Sequence, residues 1–154
     1  MLLDDRFYPF VCLIDGIHKS IQKLRVDFAP EFGVKSVHIF WIYELYTHPE
    51  GLTSAELAAQ SNISRSLVSR EIEMLREDGY IHMEETSHGK RKSYNSRIML
   101  TERGEELARR IWDEGLRVQN LVNEGISKEE LASFYSTMQK LHDNLRELSQ
   151  KDDE

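Results

Sequence analysis

A single cysteine, Cys12, stands in a chain of 154 residues. That scarcity excludes an internal disulfide framework and suits a reducing cytoplasm, the expected location. No apolar run approaches the roughly 18 residues of a membrane-spanning helix, so no membrane partner is expected. The opening Met1-Leu2-Leu3-Asp4-Asp5 lacks the basic start of a secretory signal. Internal repeats and low-complexity stretches are missing too. There is no Gly-rich phosphate loop, no nucleophile elbow and no His-Glu-x-x-His pattern, so catalysis finds no support and no cofactor is expected. Six histidines (His18, His38, His48, His82, His88 and His142) are scattered without the close pair spacing of a zinc motif, and no metal is expected.

What is present describes a folded chain. Hydrophobic residues make up 40% and charged residues 31%, a globular rather than disordered balance. The length suits one domain with a real apolar core. A net charge of −7 argues against contact with nucleic acid until its distribution is read. Residues 1–52 carry five bases and seven acids, residues 53–100 seven of each, and residues 101–154 eight bases and thirteen acids. Within the balanced middle, Thr86 to Arg97 holds Lys90, Arg91, Lys92 and Arg97 and no acid. The positive charge is local, as a phosphate-contacting patch requires.

Periodicity predicts a first helix from about Pro9 to Phe28, with Leu13, Ile14, Ile17, Ile21, Leu24 and Phe28 on one stripe, broken by Pro30 and Gly33. A second helix is expected from Lys35 to Tyr46, ended by the turn His48-Pro49-Glu50-Gly51. Thr53-Ser54-Ala55-Glu56 is a capping box that opens a short helix with Leu57, Ala58 and Ala59. Ser61-Asn62 interrupts it, and Ser64 is expected to cap the next helix, with Ile63 and Val68 as a hydrophobic staple. That helix ends at Gly79. Two alternating runs follow, Tyr80 to Glu85 and Tyr94 to Leu100, joined by a long basic hairpin loop. Thr101 caps a helix to about Asn123, interrupted at Gly115. A second capping box, Ser127 to Glu130, opens a last helix whose Leu131, Phe134, Met138, Leu141, Leu145 and Leu148 approach a heptad stripe.

Helix, turn, helix and basic hairpin form an arrangement that can read DNA, because the major groove admits the second helix. On that helix Leu67, Val68, Ile72 and Leu75 are expected to face inward. Arg65, Ser66, Ser69, Arg70 and Glu73 then lie outward. Arginine can bind guanine in a bidentate way, and the serines, with Ser64, can contact phosphate or bases. Lys90, Arg91 and Lys92 at the hairpin tip suit the phosphate backbone, with one side chain able to enter the minor groove. The alternative is a winged-helix module whose charges meet an acidic protein partner.

The stretch Leu57-Ala58-Ala59, Ile63-Ser64-Arg65-Ser66, Val68-Ser69-Arg70, Leu75, Asp78-Gly79-Tyr80-Ile81 and Leu100-Thr101-Glu102-Arg103-Gly104 resembles the multiple-antibiotic-resistance-regulator (MarR) family of bacterial transcription factors. The resemblance implies a mainly α winged helix-turn-helix fold with a small antiparallel β-hairpin wing, flanked by N- and C-terminal dimerisation helices. It places a single domain over 1–154, with the DNA-binding lobe at 34–104 and a helical dimerisation region at 1–33 and 105–154. It further implies a homodimer on double-stranded DNA, a repressor by family habit, released by a small-molecule effector that shifts the spacing of the two reading heads. Many wings of the family carry Asp-x-Arg before the Leu-Thr pair. Here that arginine position falls near Tyr94 with no matching aspartate, and Arg91 takes the role if the wing is about three residues longer. Some members sense peroxide through a first-helix cysteine. Cys12 is weighed for this, but a buried, inert thiol is preferred. Phe40, Trp41, Tyr43 and Trp112 are candidate effector-pocket residues, although aromatics at such spacing also build cores.

Overall fold

The computed structural model describes residues 6–61, 64–84 and 96–151, apart from the side chains of Gln60, Arg65, Gln150 and Lys151. In chain order the elements are α1 (Phe7–Phe32), α2 (Ser36–Thr47), α3 (Ser54–Ser61), α4 (Arg65–Glu77), β1 (Ile81–Glu84), β2 (Arg97–Leu100), α5 (Glu102–Val122) and α6 (Lys128–Lys151). This is the mainly α winged fold that the sequence suggested. The chain divides into two compact units, residues 1–114 and 115–154, with α5 running through the boundary.

Local chemistry sets most helix ends. In the Thr53 box the Thr53 N–H donates to Glu56 Oε2 at 2.7 Å and the Glu56 N–H to Thr53 Oγ1 at 3.2 Å. Helix α4 closes at Gly79, whose φ of 77° is the left-handed conformation that glycine adopts without a Cβ penalty. The Gly79 N–H then donates to Arg76 O and the Tyr80 N–H to Leu75 O, each at 3.0 Å. Thr101 caps α5, its hydroxyl accepting from the Gly104 N–H at 3.1 Å and donating to Gly79 O at 2.7 Å.

Four expectations are corrected. Helix α1 does not end before Pro30 but passes through it and closes at Gly33. The proline forfeits one helical hydrogen bond in the last turn, and the Gly33 and Val34 N–H groups cap the end on Pro30 O and Ala29 O. Gly115 does not interrupt α5. A single glycine costs only about 1 kcal/mol against alanine, too little to break a helix of this length. Ser64 takes the extended N-cap backbone, but its hydroxyl makes no capping bond and lies 3.3 Å from Ser66 Oγ. Leu67 does not face inward and is 42% exposed. Residues 68, 71, 72 and 75 share the inner face by helical period, so the place expected for Leu67 belongs to Glu71. Ile63 of the expected staple lies outside the described residues.

The strands pair antiparallel, Ile81 with Leu100, His82 with Met99, Met83 with Ile98 and Glu84 with Arg97. Glu85 and residues 94–95, expected to extend them, lie outside the described residues. Leu52 adds a short third edge that the sequence reading missed, exchanging backbone hydrogen bonds with Ile98 at 2.8 and 3.1 Å. The core of the first unit gathers Trp41, Ile42, Leu57, Val68, Leu75 and Ile98, all essentially without solvent exposure. Each such side chain stabilises the fold by about 1.5–3 kcal/mol through burial. The core joins α2, α3, α4 and the sheet and leaves the other side of α4 free. In the second unit the Ser127 box forms as expected, with the Ser127 N–H donating to Glu130 Oε2 at 2.8 Å. Along α6, Leu131, Met138 and Leu141 are half-buried, while Phe134, Leu145 and Leu148 are exposed.

Candidate nucleic-acid interface

Helix α4 has two faces of opposite chemistry. Val68, Glu71, Ile72 and Leu75 are buried, whereas Ser66, Ser69, Arg70 and Glu73 are exposed at i, i+3, i+4 and i+7. Ser64 stands exposed before the first turn. Arg70 forms no hydrogen bond or ion pair among the described residues, which leaves its guanidinium donors available. Arg65 is the first residue of α4, and its side chain lies outside the description. Helix α3 packs against α4. The Trp41 indole braces α3 by donating to Ser61 Oγ at 2.9 Å, and the Ser61 hydroxyl bonds back to the Leu57 carbonyl. A buried indole with its N–H satisfied holds α2 and α3 in fixed relation.

The wing candidates Lys90, Arg91 and Lys92 lie outside the described residues. Arg97, which opens β2, does not serve as a free basic residue of the hairpin. Its guanidinium donates to Gly51 O at 2.8 Å and lies 3.7 Å from Glu56 of the α3 capping box. It ties the base of the wing to the start of α3.

Beneath α4 lies a polar cluster that the sequence reading missed. The Glu71 carboxylate accepts from Lys35 Nζ at 2.9 Å on both oxygens and from His38 Nε2 at 2.8 Å. His38 is 2% exposed and Glu71 6%. Burial holds the His38 imidazole below its ordinary pKa, against the opposing hydrogen bond to Glu71. Burial acts to raise Glu71, but the hydrogen bonds from Lys35 and His38 outweigh it and leave the carboxyl below its ordinary value. The pair is therefore an ionised carboxylate and a neutral imidazole whose Nε2–H donates. The one available signal was negative: an acid at position 71 falls on the apolar period of α4.

The four aromatics weighed for an effector pocket do not share one site. Trp41 is wholly buried, with its indole N–H bonded to Ser61. Phe40 is half-buried under the Arg25 guanidinium, 5.6 Å from the ring centre. Tyr43 and Trp112 do meet, stacked at 5.3 Å and 11°, and Tyr46 joins them at 6.1 Å. A separate open groove is lined by Tyr80, Arg103, Glu106, Leu107 and Arg110. Cys12 is exposed on α1 rather than buried. Its neighbour Leu13, on the apolar stripe of α1, is exposed as well.

Residues 32–92 match the model of the MarR family. Among solved structures, a MarR family transcription regulator superposes with a TM-score of 0.79 at 23% identity, covering 95% of this chain and 94% of that one. A MarR family transcriptional regulator from Listeria monocytogenes, complexed with a 26mer DNA, gives 0.76 at 18% identity, covering 88% and 87%. A MarR transcriptional regulator from Methanosarcina mazei Go1 gives 0.75 at 17%, covering 96% and 94%. At these identities the likeness is one of fold. Among curated proteins no sequence matches. The part of the resemblance read from Leu57 to Ile81 lies within the matched residues 32–92, and the solved structures share the fold.

Proposed function

We propose that this chain, with the fold of the MarR transcriptional regulators, binds a pseudo-palindromic operator in double-stranded DNA as a homodimer and represses transcription until an effector releases it. The observation that carries the reading is the outward row Ser66, Ser69, Arg70 and Glu73 on a helix whose other face is locked into the core. Such a helix presents donors and acceptors at a spacing the major groove can receive. That a regulator of the same fold was solved with DNA supports it. Self-association is supported by α1, where Leu13, Ile17, Ile21 and Leu24 are 67%, 49%, 48% and 37% exposed along one stripe. Apolar stripes of that kind mark interfaces. The stacked Tyr43 and Trp112 offer a flat aromatic surface for the effector. No helix among the described residues is long and apolar enough to cross a membrane.

In vitro selection of bound duplexes from a random pool tests the reading. The expected result is an inverted repeat whose half-sites lie about 34 Å apart, one helical turn. Recovery of no preferred sequence would favour a module that binds an acidic protein instead.

A further inference from the structure

We propose that Glu71 is a positioning residue for DNA reading: held by Lys35 and His38 of α2, its carboxylate fixes the rotation of α4 about its axis and so aims Arg70. This rests on the proposal that α4 reads bases. A buried carboxylate on the inner face of a helix carries a desolvation cost that an apolar side chain would avoid. What the apolar side chain lacks is direction. Val68, Ile72 and Leu75 decide which face of α4 turns inward, but apolar contacts resist small rotations only weakly. Three hydrogen bonds of 2.8–2.9 Å to Glu71 resist them strongly, because each fails when the carboxylate swings away from its donors.

The anchors are themselves fixed. Lys35 is the N-cap of α2 and His38 lies in its first turn, where the His38 N–H donates to Lys35 O at 3.0 Å. Lys35 Nζ also lies 3.2 Å from Met74 Sδ, one turn further along α4. Arg70 is the residue immediately before Glu71. A rotation of about 20° moves a group at the side-chain radius of about 6 Å by some 2 Å, enough to lose a bidentate contact. Positions 35 and 71 are 36 residues apart, so the clamp joins two helices of the lobe rather than supporting either one alone.

The test compares the parent with Glu71→Leu, Glu71→Gln, Lys35→Met and Arg70→Ala in the full chain. Each is titrated on the best selected duplex, a single-base variant and unrelated DNA at several salt concentrations. Glu71→Leu leaves the buried His38 N–H without its acceptor, so it is expected to melt below the parent and to lose about tenfold in preference for the best site. Its binding to unrelated DNA and its salt slope stay unchanged, since no phosphate contact is removed. Glu71→Gln retains the preference, because its amide can accept from Lys35 and donate to the other tautomer of His38. If Glu71→Leu keeps the parent's preference while Arg70→Ala loses it, the positioning role is refuted and α4 still reads DNA. If Arg70→Ala also changes nothing, the premise fails and the proposal with it. Should Glu71→Leu not fold, Lys35→Met decides at a half-exposed position: about a threefold loss of preference supports the clamp, and no loss overturns it.

Discussion

Replacing Gly104 with alanine tests the junction between the wing and α5, and Gly115→Ala in the same helix is its control. A Cβ at Gly104 would overlap the Tyr80 carbonyl oxygen and lie 3.1 Å from Leu100 Cδ2. The Tyr80 peptide has no room to yield. Its carbonyl accepts from the Thr101 N–H at 3.0 Å, and its own N–H donates to Leu75 O at 3.0 Å. Overpacking of this kind costs about 1–3 kcal/mol, and the backbone obstacle puts this site at the upper end. Losing the Thr101 bond adds about 1 kcal/mol. The expected loss is therefore about 3–4 kcal/mol, or roughly 6–16 °C in Tm for a chain of this size. Gly115 has nothing within 4 Å of its added Cβ, so alanine there should raise stability by about 0.5–1 kcal/mol through helix propensity. Urea unfolding at fixed protomer concentration measures both. A Gly104→Ala protein within about 1 kcal/mol of the parent, or a Gly115→Ala protein that is clearly weaker, would refute the packing argument.

Three further outcomes are expected. Because the pKa values of His38 and Glu71 are lowered on folding, each contributes stability above its unfolded pKa that is lost as pH falls through the folded one. Stability should thus decline below pH of about 6.5 for His38, with a further fall below about 4.3 for Glu71. His38→Gln should flatten the first decline in urea melts at stepped pH, and an unaltered decline would place its origin elsewhere. Lys90→Ala and Lys92→Ala should weaken binding to all duplexes alike and lower the salt slope by about one for each phosphate left without its cation, as titrations across salt would show. Weakening confined to one sequence would contradict a phosphate role. Cys12 forms no hydrogen bond or ion pair among the described residues, so Cys12→Ser should leave DNA affinity in mild peroxide as it is in the parent. Peroxide-driven release that disappears in Cys12→Ser would make the thiol a sensor.

Features set by neighbours a few residues apart were legible in the sequence. The boxes at Thr53 and Ser127, the closure at Gly79, the cap at Thr101 and the order of helices and strands all arise within one or two helical turns. Residue type and spacing encode such interactions directly. The outward serines and Arg70 of α4 followed from the same periodicity. The tertiary structure alone decided the exceptions. Glu71 rather than Leu67 sits inside, Trp41 is buried with its indole bonded to Ser61, Arg97 is tied to the start of α3, and Leu52 adds an edge to the sheet. Each depends on a partner between 20 and 46 residues away. Periodicity reports which face of an element turns inward, but not which groups from other elements meet it there. A buried charge is stable only with such partners in place, and those partners exist only once the chain has folded.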